Sequence, residues 1–243
     1  MAGRTAIVTG AGKRVGRAIA QALLDDGWAV VGHVHHADDE PPAGAIKVTA
    51  DFCDADAAEA IFAAAEPLSP VRLLINNAAR FSHDELGAFD GHEFDAHMAV
   101  NVRAPAQLIE RLARAHDGQA DASIVNLLDA KLAALNPDFL SYTLSKQALA
   151  GLTELAARAL ASKGIRVNAV APALMLRSTG QSEENFDAMH DHNPLRRSVG
   201  PDDVIDAIRY LIGARCVTGQ TLVIDSGQRF LGLDRDVQFL GAQ

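Results

Sequence analysis

The sequence is poor in cysteine, with only Cys53 and Cys216 among its 243 residues. Two isolated cysteines cannot build the disulfide framework of a small secreted domain or a cysteine-rich zinc site. No apolar run approaches the roughly 18 residues that a membrane-spanning helix needs. The first residues lead directly into a short strand pattern, not into the apolar core of a signal peptide. These absences predict a cytoplasmic protein that binds no membrane and no metal.

An excess of positive charge is also missing, since 22 Lys and Arg residues face 31 Asp and Glu residues, for a formal net charge of −9. This balance disfavours general binding to nucleic acids or anionic membranes, but it allows a local basic pocket for a phosphate group. Apolar residues make up 49% of the chain, enough for a sizeable core. A single α/β domain of roughly 250 residues is ordinary, so we expect one domain over residues 1–243.

Short apolar runs alternate with longer helical patterns along the chain. The short runs are nearly continuous and β-branched, which indicates strands buried on both faces and therefore a parallel sheet covered by helices. We predict a Rossmann-like, doubly wound, seven-stranded parallel sheet with helices on both faces, whose ligands lie beyond the carboxyl ends of the strands. The predicted strands are Thr5–Val8, Ala29–Val34, Ala45–Val48, Leu73–Ile75, Ser123–Leu128, Ile165–Val170 and Thr221–Ile224, and the predicted helices are Val15–Leu24, Ala57–Ala65, Phe94–Ala115, Tyr142–Ala161 and Pro201–Ile212.

The first predicted strand ends in a glycine-rich loop, Thr9–Gly16, with the sequence TGAGKRVG. Glycines allow a tight turn and a close approach of the backbone to a pyrophosphate, and the following helix N-terminus supplies free N–H groups and partial positive charge. Inside the first strand–helix–strand unit, this pattern favours a nucleotide site over a simple turn. The expected cofactor contacts in the loop are Gly10, Lys13, Arg14 and Val15.

The second predicted strand has no acidic residue at its end, where Val34 stands. Rossmann sites that select NAD place a carboxylate there to bind the ribose 2′-hydroxyl, so its absence favours NADPH. His33, His35 and His36 can donate hydrogen bonds to a 2′-phosphate, whose charge would raise the pKa of each ring. A metal site at these histidines is disfavoured because no further ligand cluster accompanies them.

Tyr142 and Lys146 are separated by four positions in a predicted helix. Residues at this spacing share one helix face, so the phenol and the ammonium can serve one site. We expect the nearby positive charge to lower the pKa of Tyr142 from about 10 toward neutral pH, which would make the phenol a usable general acid or base. The spacing alone also suits an interfacial tyrosine beside a solvated lysine.

These motifs, in this order, resemble the short-chain dehydrogenase/reductase family over essentially the whole chain. Thr9, Gly10 and Gly16 match its glycine pattern, and the tyrosine–lysine pair follows the fifth strand as it does in the family. The resemblance implies a homotetramer, and the C-terminal tail could dock on a neighbouring subunit. It also implies cofactor contacts at Asp51, Phe52, Asn77, Ala78, Ala79, Pro172 and Leu174, and a water-anchoring role in proton relay for Asn101. The long polar segment Arg177–Asn193 lies where a substrate lid belongs.

The most informative departure from the family pattern is Asp129, which lies thirteen positions before Tyr142, where the family has its catalytic serine. A serine hydroxyl donates a hydrogen bond to a ketone oxygen. An ionised aspartate cannot donate, and it would repel a developing alkoxide. It would instead stabilise a protonated nitrogen, or orient the tyrosine while the tyrosine protonates one. This residue therefore predicts reduction of a C=N bond.

Arg14 in place of the loop's middle glycine, together with Asp129, resembles one branch of the family, the pteridine and dihydromonapterin reductases. That branch also carries an aromatic residue at the position of Phe81, which stacks on the flat pterin. The resemblance implies an NADPH-dependent reductase of a dihydropterin, pterin or dihydrofolate. Two alternatives stay open: a short-chain reductase of another imine or carbonyl compound, and a non-catalytic NADP-binding sensor whose site was disabled with the serine. The expected catalytic residues are Asp129, Tyr142, Lys146 and Asn101, and the heterocyclic substrate is expected to contact Arg14, Phe81, Asp129 and Tyr142.

Overall fold

A computed structural model describes residues 3–173, 193–236 and 239 of the chain. All seven described strands are parallel and form one sheet in the order β3-β2-β1-β4-β5-β6-β7. The prediction of a seven-stranded parallel sheet is therefore confirmed. The strands are β1 (Thr5–Val8), β2 (Ala29–Val34), β3 (Ile46–Thr49), β4 (Val71–Asn76), β5 (Ala122–Leu127), β6 (Ile165–Pro172) and β7 (Thr221–Ile224).

Helices cover both faces of this sheet. Along β1, Ile7 packs in the core under α2, α4 and α5, whereas Ala6 and Val8 pack in the core under α1 and α6. Because both faces are covered, every residue of β1 is buried. No helix in the described part of the chain is long and apolar enough to cross a membrane. The helices are α1 (Arg14–Asp25), α2 (Ala57–Ala65), α3 (Gly91–Met98), α4 (Ala104–Ala115), α5 (Leu140–Leu160) and α6 (Pro201–Gly213).

The single helix predicted over Phe94–Ala115 is interrupted. A π-helical segment, Ala99–Arg103, separates α3 from α4, and the helical run already begins at Gly91. Such segments insert one residue into a helical turn and occur frequently at functional sites. Asn101, at the centre of the segment, is fully buried. The apolar periodicity of the sequence indicates helix throughout and does not reveal this local change.

The direction of winding reverses between β1 and β4. From β1 the chain passes to β2 and β3 on one side, and then returns to β4 on the other side. The loops after β1 and β4 meet at the carboxyl edge of the sheet, where the Asn77 side-chain amide donates to the Thr9 carbonyl at 2.8 Å. In open parallel sheets, ligands bind at this kind of crevice.

Candidate active site

The glycine loop packs closely against the start of α1. Gly10 has a φ of +68°, a left-handed conformation that side chains disfavour. A Cβ atom on Gly16 would lie only 2.1 Å from the Gly10 carbonyl oxygen. Lys13 stands at the N-cap of α1 and makes no capping hydrogen bond with its side chain. The first N–H groups of α1 therefore have no side-chain acceptor at the N-cap, which suits a pyrophosphate.

Arg14 has a backbone conformation that favours glycine. Its φ of +52° is left-handed, which costs a non-glycine residue roughly 1–2 kcal/mol. The residue is exposed at the first turn of α1. A strained conformation retained at the edge of a ligand crevice is typical of functional sites.

His33 differs from its predicted role. Its ring is buried, its Nδ1 accepts a hydrogen bond from the Gly10 N–H at 3.3 Å, and its Nε2 lies 3.0 Å from the Ala50 carbonyl oxygen, to which it donates in the matching tautomer. Burial lowers the pKa of His33. Both ring nitrogens are occupied by backbone groups, so His33 supports the glycine loop and does not face a phosphate.

The other predicted groups around the 2′-phosphate are exposed. His35 and His36 lie with their ring centroids 4.1 Å apart, and His35 Nε2 is 3.5 Å from a carboxylate oxygen of Asp51. Lys13 has a similar acidic neighbour, since its Nζ lies 3.4 Å from Asp39. No group of three or more metal-ligating side chains occurs in the ranges that the structure describes.

The ring of Phe52 is buried, with its centroid 4.2 Å from that of His33. Asn77 and Ala78 donate their backbone N–H groups to the Thr9 hydroxyl at 2.9 and 3.0 Å, which braces the loop after β4 against the glycine loop. The remaining predicted contacts are less informative: Ala79 is exposed beside this brace, Val15 and Pro172 are buried, and Leu174 and most of the predicted lid, Arg177–Asn193, lie outside the described residues.

Tyr142 and Asp129 are in direct contact. The phenol donates a hydrogen bond of 2.8 Å to Asp129 Oδ2. The other carboxylate oxygen accepts from the backbone N–H of Lys131, also at 2.8 Å. Asp129 is thus fixed by the backbone on one side and directs the phenol on the other.

The electrostatics of this contact correct one expectation. Burial and the negative charge of Asp129 raise the pKa of Tyr142 well above its usual 10, instead of lowering it. Desolvation also raises the pKa of Asp129. Burial lowers the pKa of Lys146 to about 8, and its Nζ donates to the Leu127 carbonyl at 2.6 Å. At neutral pH the phenol therefore carries its proton, which is the form that a reduction requires.

Asn101 joins the two halves of the site. Its side chain bonds to the backbone N–H and carbonyl of Arg80 at 2.8 and 3.0 Å, and it donates to the Ser145 hydroxyl at 2.8 Å. Ser145 in turn donates to the Tyr142 carbonyl at 2.6 Å. These contacts engage both polar atoms of the amide with protein groups, so the side chain joins the loop after β4 to α5; the anchoring of a relay water stays a prediction.

Phe81 lies beside the reactive phenol with half of its surface exposed. Its ring stacks on Phe139 at 4.5 Å and meets the Tyr142 ring edge-on at 4.7 Å. Both of its neighbours in the chain are tied to Glu93: Arg80 by two bonds of 2.9 and 2.5 Å, and Ser82 by a hydroxyl bond of 2.5 Å. These bonds hold the pKa of Glu93 at about 2. We call the bonds of Arg80 and Ser82 to Glu93 the clamp on Phe81, because they fix the chain on both sides of this ring. The exposed face of the ring therefore lies in a fixed place next to the proton donor.

One supporting residue, Asp84, escaped the sequence-based prediction. Asp84 is buried and accepts hydrogen bonds from the Ser141 N–H, at 2.9 Å, and from the Ser141 hydroxyl, which positions the first turn of α5. Phe139 precedes α5 in a left-handed conformation with a φ of +56° and supports Phe81. Asp84 and Ser141 are 57 positions apart in the chain, so no local sequence pattern could predict their contact.

A parallel sheet with a glycine loop at its switch point and a tyrosine–lysine pair on the facing helix defines a nicotinamide-dependent oxidoreductase of the Rossmann type. A family model described as enoyl-(acyl carrier protein) reductase matches residues 10–229. The chain belongs to the short-chain dehydrogenase/reductase family.

Relatives within the family act on different substrates. The chain is 30% identical to a dihydromonapterin reductase of Klebsiella pneumoniae, over 93% of this chain and 96% of that protein. It is 28% identical to the 3-oxoacyl-(acyl-carrier-protein) reductase FabG of Staphylococcus epidermidis, over 92% and 98% of the two chains. The solved structure of FolM alternative dihydrofolate reductase 1 from Brucella canis, complexed with NADP, superimposes with a TM-score of 0.89 at 36% identity and covers 94% of this chain and 95% of its own.

Proposed function

We propose that this protein is an NADPH-dependent reductase that reduces a C=N bond in a pterin-type heterocycle. The observation that carries this proposal is the 2.8 Å hydrogen bond from the Tyr142 phenol to Asp129, at the position where the family places a serine. The clamped ring of Phe81, 4.7 Å from the Tyr142 ring, provides an aromatic surface at the same site. The likeness to a dihydromonapterin reductase and to FolM supports the same substrate class.

The residues at the carboxyl edge of the sheet fit an NADPH molecule. The glycine loop passes close to α1, whose N-terminus lacks a side-chain cap, and would hold the pyrophosphate. Exposed His35 and His36 would lie beside the 2′-phosphate, with no carboxylate at Val34 to repel it. The NADP in the Brucella canis FolM structure supports this assignment. When bound, the nicotinamide supplies the hydride.

The protein's own residues supply the proton and the orientation. Tyr142, kept protonated by its raised pKa, donates its proton to the ring nitrogen of the substrate. Asp129 orients the phenol and stabilises positive charge that develops on that nitrogen. Lys146, held at the Leu127 carbonyl, places a positive charge below the phenol. Phe81 and Arg14 would bind the flat heterocycle by stacking and by hydrogen bonding.

Carbonyl reduction is the second candidate, because the chain is also 28% identical to a 3-oxoacyl-(acyl-carrier-protein) reductase. The geometry at Asp129 disfavours it. A carboxylate beside Tyr142 lacks a hydrogen-bond donor for the carbonyl oxygen and repels the alkoxide that forms.

The test is a comparison of substrates with purified protein and NADPH, followed by loss of nicotinamide absorbance. Dihydromonapterin, dihydrobiopterin and dihydrofolate are compared with a 3-oxoacyl thioester. We expect turnover of at least one pterin-type compound and little turnover of the thioester. Turnover confined to the thioester would establish the carbonyl reductase instead, and NADPH binding without any turnover would favour the non-catalytic sensor.

A further inference from the structure

We propose that the C-terminal tail of the same chain, through Arg235, Asp236 and Phe239, forms the outer wall of the substrate site and determines which heterocycles it accepts. This inference rests on the proposed function, because it names how that site selects its substrate. Docking of the tail on a neighbouring subunit stays a prediction; the structure shows that Arg235, Asp236 and Phe239 contact residues of their own chain.

The anchor of the tail is Asp138, which is buried just before α5. Arg235 approaches both carboxylate oxygens of Asp138, with Nε–O distances of 2.9 Å, and its Nη2 lies 2.8 Å from one of them. The backbone N–H of Asp236 donates to the same carboxylate at 2.7 Å. Bidentate contacts between a guanidinium and a buried carboxylate restrict orientation as well as distance. They hold the tail in one place.

Lys131 connects this anchor to the reacting pair. Its side chain is 7% exposed, and its ammonium donates to Asn136 Oδ1 at 2.5 Å, to the Asp138 carbonyl at 2.7 Å and to Asp236 Oδ2 at 3.2 Å. The backbone N–H of the same residue donates to Asp129. A displacement of the tail is therefore transmitted to the carboxylate that orients Tyr142, so Lys131 acts as a positioning residue.

Phe239 extends the aromatic surface of the site. Its ring lies nearly parallel to Phe139, with centroids 5.9 Å apart and an interplanar angle of 15°, and it meets His83 edge-on at 5.4 Å. Phe139 in turn stacks on Phe81. The Arg235 guanidinium lies 5.2 Å from the Phe239 ring. A stack of rings thus runs from Phe81 through the buried Phe139 to Phe239 in the tail, and a substituent of the heterocycle would lie against its outer end at Phe239.

The negative charge of Asp236 acts at the same place. It contributes, after burial and the stronger effect of Asp129, to the raised pKa of Tyr142. It also contributes to the raised pKa of Asp129. The tail is thus close enough to the reacting pair to affect it electrostatically, which a remote structural cap would not be.

The experiment compares three variants of the full-length protein: Phe239→Ala, Phe239→Tyr and Arg235→Gln. The control is Arg215→Gln, which breaks a more exposed ion pair with Asp121, 3.2 Å long, beside the start of β5 at the opposite edge of the sheet. The measurements are KM and kcat for a pterin with a ring substituent, KM for NADPH, and Tm.

We expect Phe239→Ala and Arg235→Gln to raise KM for the substituted pterin about two- to tenfold, in line with the loss of an aromatic contact. KM for NADPH should stay within about twofold, and Phe239→Tyr, which keeps the ring, should restore KM. The control should leave all kinetic constants unchanged. An equal loss of Tm in all variants with no change in KM would overturn the proposal and reduce the tail to a structural cap.

Failure of the proposed function has a different signature. If wild-type protein reduces only a 3-oxoacyl thioester, the pterin assignment fails, and the tail is then judged by the KM of that thioester in the same variants. An unchanged KM there overturns the tail proposal as well. Wild-type protein that reduces no compound in the set overturns both.

Discussion

The phenol of Tyr142 donates one hydrogen bond of 2.8 Å to the carboxylate of Asp129. Burial and the charge of Asp129 raise the pKa of Tyr142, whereas the pKa of Asp129 is raised by its own burial and lowered in part by this hydrogen bond. In the family pattern, a neutral serine in this place donates to the substrate. Here the partner is an acceptor, so the pair can supply a proton and stabilise positive charge but cannot stabilise an alkoxide. Under the proposed function, this relationship favours reduction of a C=N bond over reduction of a carbonyl group.

The first prediction concerns that pair. Asp129→Ala should lower kcat for a pterin substrate about 10²- to 10⁴-fold, because the phenol of Tyr142 loses its orientation and the protonated substrate nitrogen loses a negative partner. Tyr142→Phe should cause a similar loss. Asp129→Ser should leave pterin turnover low and raise the rate on a carbonyl compound. Steady-state kinetics on both substrate classes check this, with NADPH binding as the control for folding. A fully active Asp129→Ala protein would contradict the assigned role.

The second prediction follows from Lys146, whose folded pKa of about 8 lies below its ordinary value of 10.5. Between these values the unfolded chain binds more protons than the folded chain, so the free energy of unfolding gains a contribution that rises with pH. Below about pH 8 the full cost of burying the ammonium is present. The Lys146→Met protein should therefore exceed the wild type most in free energy of unfolding near pH 7. This difference should shrink as the pH rises toward 10.5. Urea unfolding at pH 7, 9 and 10.5 measures this. An equal difference at pH 7 and 10.5 would show that the ammonium is not desolvated.

The third prediction concerns the clamp on Phe81. Glu93→Gln should raise KM for the heterocycle and leave KM for NADPH unchanged, because Arg80 and Ser82 lose their shared carboxylate. The folded pKa of about 2 lies below the ordinary 4.5, so the stabilisation by Glu93 is present above pH 4.5 and is lost as the pH falls toward 2. Because the ion pair is partly exposed, its contribution is at most about 1 kcal/mol.

The matched control for the clamp is Glu59→Gln, which removes a similar surface ion pair with Arg111. Both variants should lose similar stability in denaturant unfolding at pH 7. Only Glu93→Gln should change KM for the heterocycle. The same KM in both variants would mean that Phe81 does not need the clamp.

The fourth prediction sets stability against affinity at Arg14. Arg14→Gly removes a side chain from a left-handed conformation and should stabilise the protein by at most about 1 kcal/mol, since glycine also gains freedom in the unfolded chain. It should at the same time weaken NADPH and substrate binding. Arg14→Ala loses the guanidinium but keeps the strain, so it should weaken binding without the gain in Tm. A tight-binding Arg14→Gly protein would remove Arg14 from the ligand site.

The fifth prediction concerns assembly. The homotetramer remains a prediction from the family resemblance, with the helices that contain Asn101 and Tyr142 at its interfaces. Because the tail docks on its own chain, Arg235→Gln should leave the molar mass from light scattering unchanged. A tetramer that dissociates in this variant would place the tail at an interface after all.

Much of the architecture was accessible from the sequence. The bounds of β1, β2, α2 and β7 agree with the predicted ones, because a buried parallel strand or a packed helix has a local periodic pattern that its neighbours reinforce. The interruption at Ala99–Arg103 was not accessible, because a π-helical turn changes the backbone without changing the apolar pattern.

The sequence by itself determined the identity and order of the chemical groups: a glycine loop after the first strand, Asp129 thirteen positions before Tyr142, and Lys146 one turn beyond. Chain order and local spacing are enough for such features. The tertiary structure alone decided that the pKa of Tyr142 is raised, because burial and Asp129 outweigh the nearby lysine. It also decided the role of His33, whose ring nitrogens bond to the backbone of Gly10 and Ala50. It also decided that residues near the C-terminus reach Asp138 and the active site. Burial and long-range contacts set these properties, since both depend on groups that are distant in the chain and meet only in the folded protein.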